Sequence, residues 1–161
     1  MITKRLADLL TAQIASELTA HMLYYSISIS FRRQSLSGWA KLFFDQGVEE
    51  ATHADKIVDF LVDQDVAFDL PKLAGTRTEF KSALDACRAA LANEQKVTLQ
   101  FQAMAKAALD EHDATAHQFL QWFIEEQVEE ERTAQALVDL VASGINLFQA
   151  EPLLDGIVAE D

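Results

Sequence analysis

The chain has 161 residues, half of them apolar, which suits one domain with a real core and argues against wholesale disorder. Five Gly and two Pro are too few turn formers for a many-stranded sandwich or barrel. Thirteen Lys and Arg against 26 Asp and Glu leave a formal charge of −13, which argues against a nucleic acid or an anionic membrane as partner.

The single cysteine, Cys87, excludes an internal disulfide and a cysteine-based zinc site. The segment MITKRLADLL lacks a long apolar run and a small-residue cleavage site, so no secretory signal shows. The most apolar stretch, Met22 to Phe31, is too short and too mixed to span a bilayer. A cytoplasmic protein is the expectation.

Turn signals divide the chain into helices over 4–34, 38–64, 77–110 and 114–143, with a short last helix near 150–158. Gln34 to Gly38 breaks the first pair, with Ser37 as the expected N-cap. Asp63 to Gly75 is the longest polar break. Thr76-Arg77-Thr78-Glu79 reads as a capping box opening the third helix. Asp113 is the expected cap of the fourth. Gly144 suits a left-handed residue just past its end, and Pro152 suits the first turn of the short helix.

Each long helix carries an apolar seam with alternating steps of four and three. The first runs Leu10, Ile14, Glu17, His21, Tyr24, Ser28, Phe31. The second runs Trp39, Phe43, Gln46, Glu50, His53, Ile57, Phe60. The third runs Phe80, Leu84, Cys87, Leu91, Glu94, Thr98, Phe101, Ala105. The fourth runs Ala116, Leu120, Phe123, Gln127, Glu130, Ala134, Leu137, Val141. Near the middle of every seam stands a glutamate. The pattern predicts an all-α four-helix bundle with carboxylates pointing into its own core. The tight turns make helices one and two antiparallel, and likewise three and four. The longer break reaches about 40 Å when extended, the length of a helix of about 27 residues, so helices two and three can run parallel.

Glu17, Glu50, Glu94 and Glu130 fall at similar distances from their turns and therefore at one level. His53 follows Glu50 by one helical turn on the same face, and Gln127 precedes Glu130 in the same way. Four carboxylates in a dry core are costly without compensation, and no Lys or Arg lies on the seams to pair with them. Cations are the better solution. An oxygen-rich set with one imidazole suits Fe or Mn, and two metals sharing bridging carboxylates would offset about four negative charges.

The chain resembles the ferritins, specifically the non-haem bacterial ferritins. The resemblance rests on Glu17, on Glu50-Ala51-Thr52-His53, on Glu94 and on the run Gln121 to Glu131. It covers nearly the whole chain, 1–161, as one ferritin-like di-iron domain with a short fifth helix. It implies iron storage, with a ferroxidase centre inside each subunit. By that analogy Glu17, Glu50 and His53 hold the first iron, Glu50 bridges, and Glu94 with Glu130 holds the second, Gln127 lying beside it. It places Tyr24 beside the centre as a possible electron donor. It implies a homo-oligomeric shell of two dozen subunits that takes ferrous iron and an oxidant, dioxygen or hydrogen peroxide, and stores ferric mineral.

One departure is informative. Where many di-iron proteins have a second Glu-x-x-His, this chain has Gln127-Val128-Glu129-Glu130, which suggests a weaker second site from which iron moves on. Thr52 stands where haem-binding relatives have a methionine, so no haem is expected, although Met22 and Met104 occur elsewhere. Glu49, Glu126 and Glu129 lie one residue off the seams, where helices two and four meet, and the resemblance implies a third iron held there. Gly47 interrupts helix two at about 1 kcal/mol against alanine, and close helix approach would explain it. His21 reads as packed or hydrogen-bonded, and Trp122 as packing. Two rivals stand beside this reading: a di-iron oxidase acting on an organic substrate, and a metal-free assembly bundle. The missing second histidine opposes the first and the seam glutamates oppose the second.

Overall fold

Thr3 opens the first helix by accepting a hydrogen bond from the Leu6 amide. The computed structural model describes residues 1–158. Four long helices follow in order: α1 Lys4–Arg33, α2 Ser37–Asp63, α3 Ala83–Asp110 and α4 Ala114–Ala142. Two short helices, α5 Leu147–Ala150 and α6 Leu154–Val158, flank a single 3-10 turn at Glu151–Leu153 that contains Pro152. No strand occurs among the described residues.

The first three long helices end alike. Ser35, Asp65 and His112 take left-handed φ values of 60°, 55° and 56°, and the amide after each reaches back to close the last turn: Leu36 to Phe31, Val66 to Leu61, Asp113 to Ala108. A non-glycine residue there costs about 1–2 kcal/mol, which the backward hydrogen bonds offset. After α4 the left-handed residue is Gly144, with φ 80° and no such penalty.

Two expected starts are corrected. Helix α3 begins at Ala83, not 77, because Ser82 caps it by accepting from the Asp85 amide. Asp85 in turn accepts from the Lys81 amide and pairs with Arg77. Arg77 is thereby held in the crossover beside the Phe80 ring, instead of opening a helix. In α2, Ser37 is the first helical residue and not the cap. Leu36 holds the cap position and its apolar side chain, which has no acceptor to offer, is buried in the core. Glu151 from the C-terminal segment instead accepts the Gly38 amide at 3.0 Å. Asp113 caps α4 as expected, accepting from Ala116 at 2.9 Å.

Helices α1 and α2 form one antiparallel pair and α3 and α4 another. Between the pairs, Gln13 meets Gln100 and Tyr24 meets Glu94, so α1 and α3 run antiparallel. Helices α2 and α3 are therefore parallel, and the chain over 64–82 crosses the bundle end to end. Phe68 packs into the apolar cluster at one end of the bundle and Phe80 into the cluster at the other. Those two clusters are distinct. One holds Leu6, Leu10, Ile57, Leu61, Phe101 and Phe123; the other holds Ile27, Phe31, Trp39, Phe43, Cys87 and Leu137. The C-terminal segment folds back on the second cluster, burying Ala150 and Leu154, and the Leu147 carbonyl accepts the Trp39 indole N–H at 2.9 Å.

Candidate metal centre

Between the two apolar clusters lies a polar storey. Glu17, Glu50, Glu94 and Glu130 are 0–5% exposed, and His53, Gln13 and Gln127 are equally buried. Each of the four glutamates sits at mid-helix on its seam, so ordinary helical spacing delivers all four carboxylates to one level. Glu17, Glu50 and His53 bring donor atoms within 4.8 Å of one another, and so do Glu50, Glu94 and Glu130. Glu50 belongs to both groups. A third group joins Glu49 and Glu126 to His53 and Glu130. Glu129 stands outside it: the residue is exposed and lines the recess into which Glu49, Glu126 and Glu130 open.

The oxygens are unequally engaged. Glu94 accepts from the Tyr24 hydroxyl on one oxygen and from Gln127 Nε2 at 3.1 Å on the other. Gln127 also donates toward the Thr98 hydroxyl and the Glu94 carbonyl, both at 3.3 Å, so its amide nitrogen is spent on α3. By contrast Glu17 Oε2, Glu50 Oε1 and His53 Nδ1 are buried without a hydrogen-bond partner. The imidazole Nδ1 lies 3.4 Å from Glu50 Oε2 and 3.8 Å from Glu17 Oε2. Buried orphan acceptors cost about 1–3 kcal/mol each, more when charged, and a cation among them relieves all three together. Oxygen donors with one imidazole fit an iron-type ion.

Electrostatics agree. Burial, with the charges of Glu94 and Glu17, pushes the Glu50 carboxyl well above the usual carboxylate range. Burial and Glu94 do the same to Glu130. Burial also raises Glu94, against the opposing hydrogen bonds from Tyr24 and Gln127. The Tyr24 phenol is pushed up by burial and by the charges of Glu94, Glu50 and Glu130. For His53, burial favours the neutral ring, yet the approach of Glu17 and the charges of Glu49 and Glu126 outweigh it and raise its pKa. A bound cation would compete with protons for these carboxylates.

A Ferritin-like domain family model matches residues 7–143. The chain belongs to the ferritin family. This places it among the iron-storage proteins. The chain is 39% identical over 144 residues to Ferritin BfrB of Mycolicibacterium smegmatis, covering 89% of this chain and 80% of that protein. It is 32% identical over 161 residues to the bacterial non-heme ferritin of Campylobacter jejuni, covering 98% and 96%. Among solved structures, an open pore ferritin from Archaeoglobus fulgidus superposes with a TM-score of 0.91 at 28% identity, over the full length of both chains.

The surroundings of the ferritin's polar storey hold side chains that seam spacing did not single out. Gln13 donates to Glu17 Oε1 at 2.7 Å, and Gln100 accepts from Gln13. The seam on α1 steps from Leu10 to Ile14 and passes Gln13 by. Trp122 meets the His53 ring edge to face at 5.5 Å, and Lys56 Nζ lies 4.0 Å over the indole. Gly47 explains itself: a Cβ there would lie 3.1 Å from the His21 carbonyl and 3.3 Å from Tyr24 Cβ. His21 is hydrogen-bonded, its Nδ1 2.6 Å from the Gly47 carbonyl. Thr52 is exposed and bonds back to Val48. No described helix is long and apolar enough to cross a membrane.

Proposed function

We propose that this ferritin is a ferroxidase, oxidising Fe(II) at a pair of positions inside the bundle and delivering Fe(III) to a mineral store within a homo-oligomeric shell of about two dozen subunits. The observation that carries the reading is the set of unpartnered buried atoms, Glu17 Oε2, Glu50 Oε1 and His53 Nδ1, at the level of four buried glutamates.

Iron is the substrate here. Glu17, Glu50 and His53 hold the first ion; Glu94 and Glu130 hold the second, with Gln127 beside it; Glu50, common to both groups, is the shared carboxylate. Each Fe(II) gives up one electron. The pair supplies the two electrons that, with two protons, convert dioxygen to hydrogen peroxide or hydrogen peroxide to water. Carboxylates displaced from their protons are anionic ligands that favour the product Fe(III) over Fe(II). Tyr24, hydrogen-bonded to Glu94, stands beside the second position and orients that carboxylate.

The group of Glu49, Glu126, Glu130 and His53 supplies a third position, with Glu129 at the rim of its recess. Glu130 and His53 each belong to an inner group as well, so an ion leaving the pair passes to the third position without crossing apolar surface. Stopped-flow oxidation at two Fe(II) per chain, combined with the iron retained by the assembled protein, tests the reading. A shell that retains far more than two irons per chain supports storage. A protein that binds Fe(II) without accelerating its oxidation would overturn the ferroxidase assignment.

A further inference from the structure

The two oxygens of Glu17 are treated oppositely. Oε1 accepts 2.7 Å from Gln13 Nε2, while Oε2 is buried without a partner and faces His53 Nδ1 at 3.8 Å. Gln13 is itself 3% exposed. Its amide nitrogen donates a second time, to Gln100 Oε1 at 3.2 Å, and Gln100 Nε2 donates to Ser16 Oγ at 3.3 Å. Gln13 presents its NH2 group to Glu17, whose Oε1 accepts. That leaves the second N–H for an acceptor, so Gln100 must present its oxygen and turn its own NH2 to Ser16.

We propose that Gln13 is a positioning residue for the first metal position: it ties down Glu17 Oε1, anchors it through Gln100, and thereby leaves Oε2 alone to ligate, so that Glu17 binds through one oxygen. This rests on the metal reading of the storey. Outer partners of this kind typically change metal affinity 10–100-fold when removed.

The test uses Zn(II) titration of the assembled, iron-free protein against a chelating dye, and Co(II) absorption as a report on ligand geometry. Glu17→Ala identifies which equivalent depends on Glu17, by its loss. Gln13→Leu, close in volume, is expected to weaken that same equivalent about 10–100-fold. It should shift its Co(II) band and leave the other equivalents within about twofold. A general packing defect would weaken all equivalents alike. Gln100→Leu, at a half-buried site, is expected to give a smaller loss of the same equivalent, and it decides the matter if Gln13→Leu lowers helical content. Wild-type affinity in the deciding variant, or equal weakening of every equivalent, overturns the role of Gln13. Normal binding in Glu17→Ala overturns the metal reading itself.

Discussion

Replacing Glu50 by glutamine should stabilise the metal-free protein and cripple the loaded one. Glu50 is 1% exposed and shares a 4.8 Å neighbourhood with Glu17 on one side and Glu94 and Glu130 on the other. At an effective dielectric constant of about 20, two unit charges about 4.8 Å apart repel by roughly 3.5 kcal/mol. Proton uptake relieves part of that, as the raised pKa of Glu50 records, so the net gain from removing the charge is about 1–3 kcal/mol. Glutamine keeps the volume, so no cavity term opposes it, and its N–H groups can donate to the neighbouring carboxylates. For a chain of this size, about 1 kcal/mol moves Tm by roughly 2–4 °C. The loaded state behaves in the opposite way. A cation present at about 100 times its Kd adds about 2.7 kcal/mol to the wild type, and the variant loses most of that with its shared ligand. Scanning calorimetry with and without Zn(II), beside stopped-flow Fe(II) oxidation, reads both signs. A metal-free Glu50→Gln protein less stable than wild type would refute the electrostatic argument. A wild-type initial oxidation rate would refute the shared-carboxylate role.

The pH dependence of the metal-free protein should follow the same carboxylates. Glu50, Glu94 and Glu130 have folded pKa values above their unfolded ones, so their contribution is full below about pH 4.5 and is lost as pH rises through the folded values. His53, also raised, acts in the same direction. Apparent Tm should therefore fall as pH rises above about 4.5, more shallowly in Glu50→Gln, and an equal slope in both would count against the assignment. Glu49→Ala with Glu126→Ala should leave oxidation of the first two irons intact and remove third-position density from Fe(II)- or Zn(II)-soaked crystals; unchanged density there contradicts the grouping. Truncation after Gly144 should lower Tm by exposing the second apolar cluster and unpairing Trp39, and should weaken the shell in native mass spectrometry; an intact shell of unchanged Tm counts against both. Cys87, its thiol pushed up to about 12 by burial, should resist iodoacetamide at pH 8 in the folded protein, and rapid labelling would contradict its burial.

The four-and-three spacing carried the bundle and the storey, because a buried glutamate on an otherwise apolar seam is visible without coordinates. Every seam glutamate is buried, as are His53 and Gln127. What the spacing hid depended on partners distant in the chain. Gln13 lies one position off its seam and gains meaning only from Glu17 and Gln100. The start of α3 was misplaced because Thr76-x-x-Glu79 reads as a capping signal, whereas Ser82 caps the helix and Arg77 is drawn to Asp85 inside it. The bare N-terminus of α2 could not be read locally, since Glu151, which accepts the Gly38 amide, arrives from the other end of the chain. Glu129 shares the recess of Glu49, Glu126 and Glu130 but is exposed at its rim, whereas Glu130 faces inward.

The division of the interior into two apolar clusters bears on how the molecule comes apart. Hydrophobic cohesion is contiguous within each end of the bundle and interrupted at mid-height, where repelling acids replace interlocking methyl groups. Without cations the two ends are joined across mid-height by helical backbone and a few polar contacts such as Tyr24 to Glu94 and Gln13 to Gln100, and amide exchange should be fastest across the middle turns of all four helices, inverting the usual pattern of frayed ends and a protected centre. A bound ion draws its ligands from several helices at once and acts as a rivet there, so exchange at mid-height becomes a measure of loading that needs no redox chemistry at all.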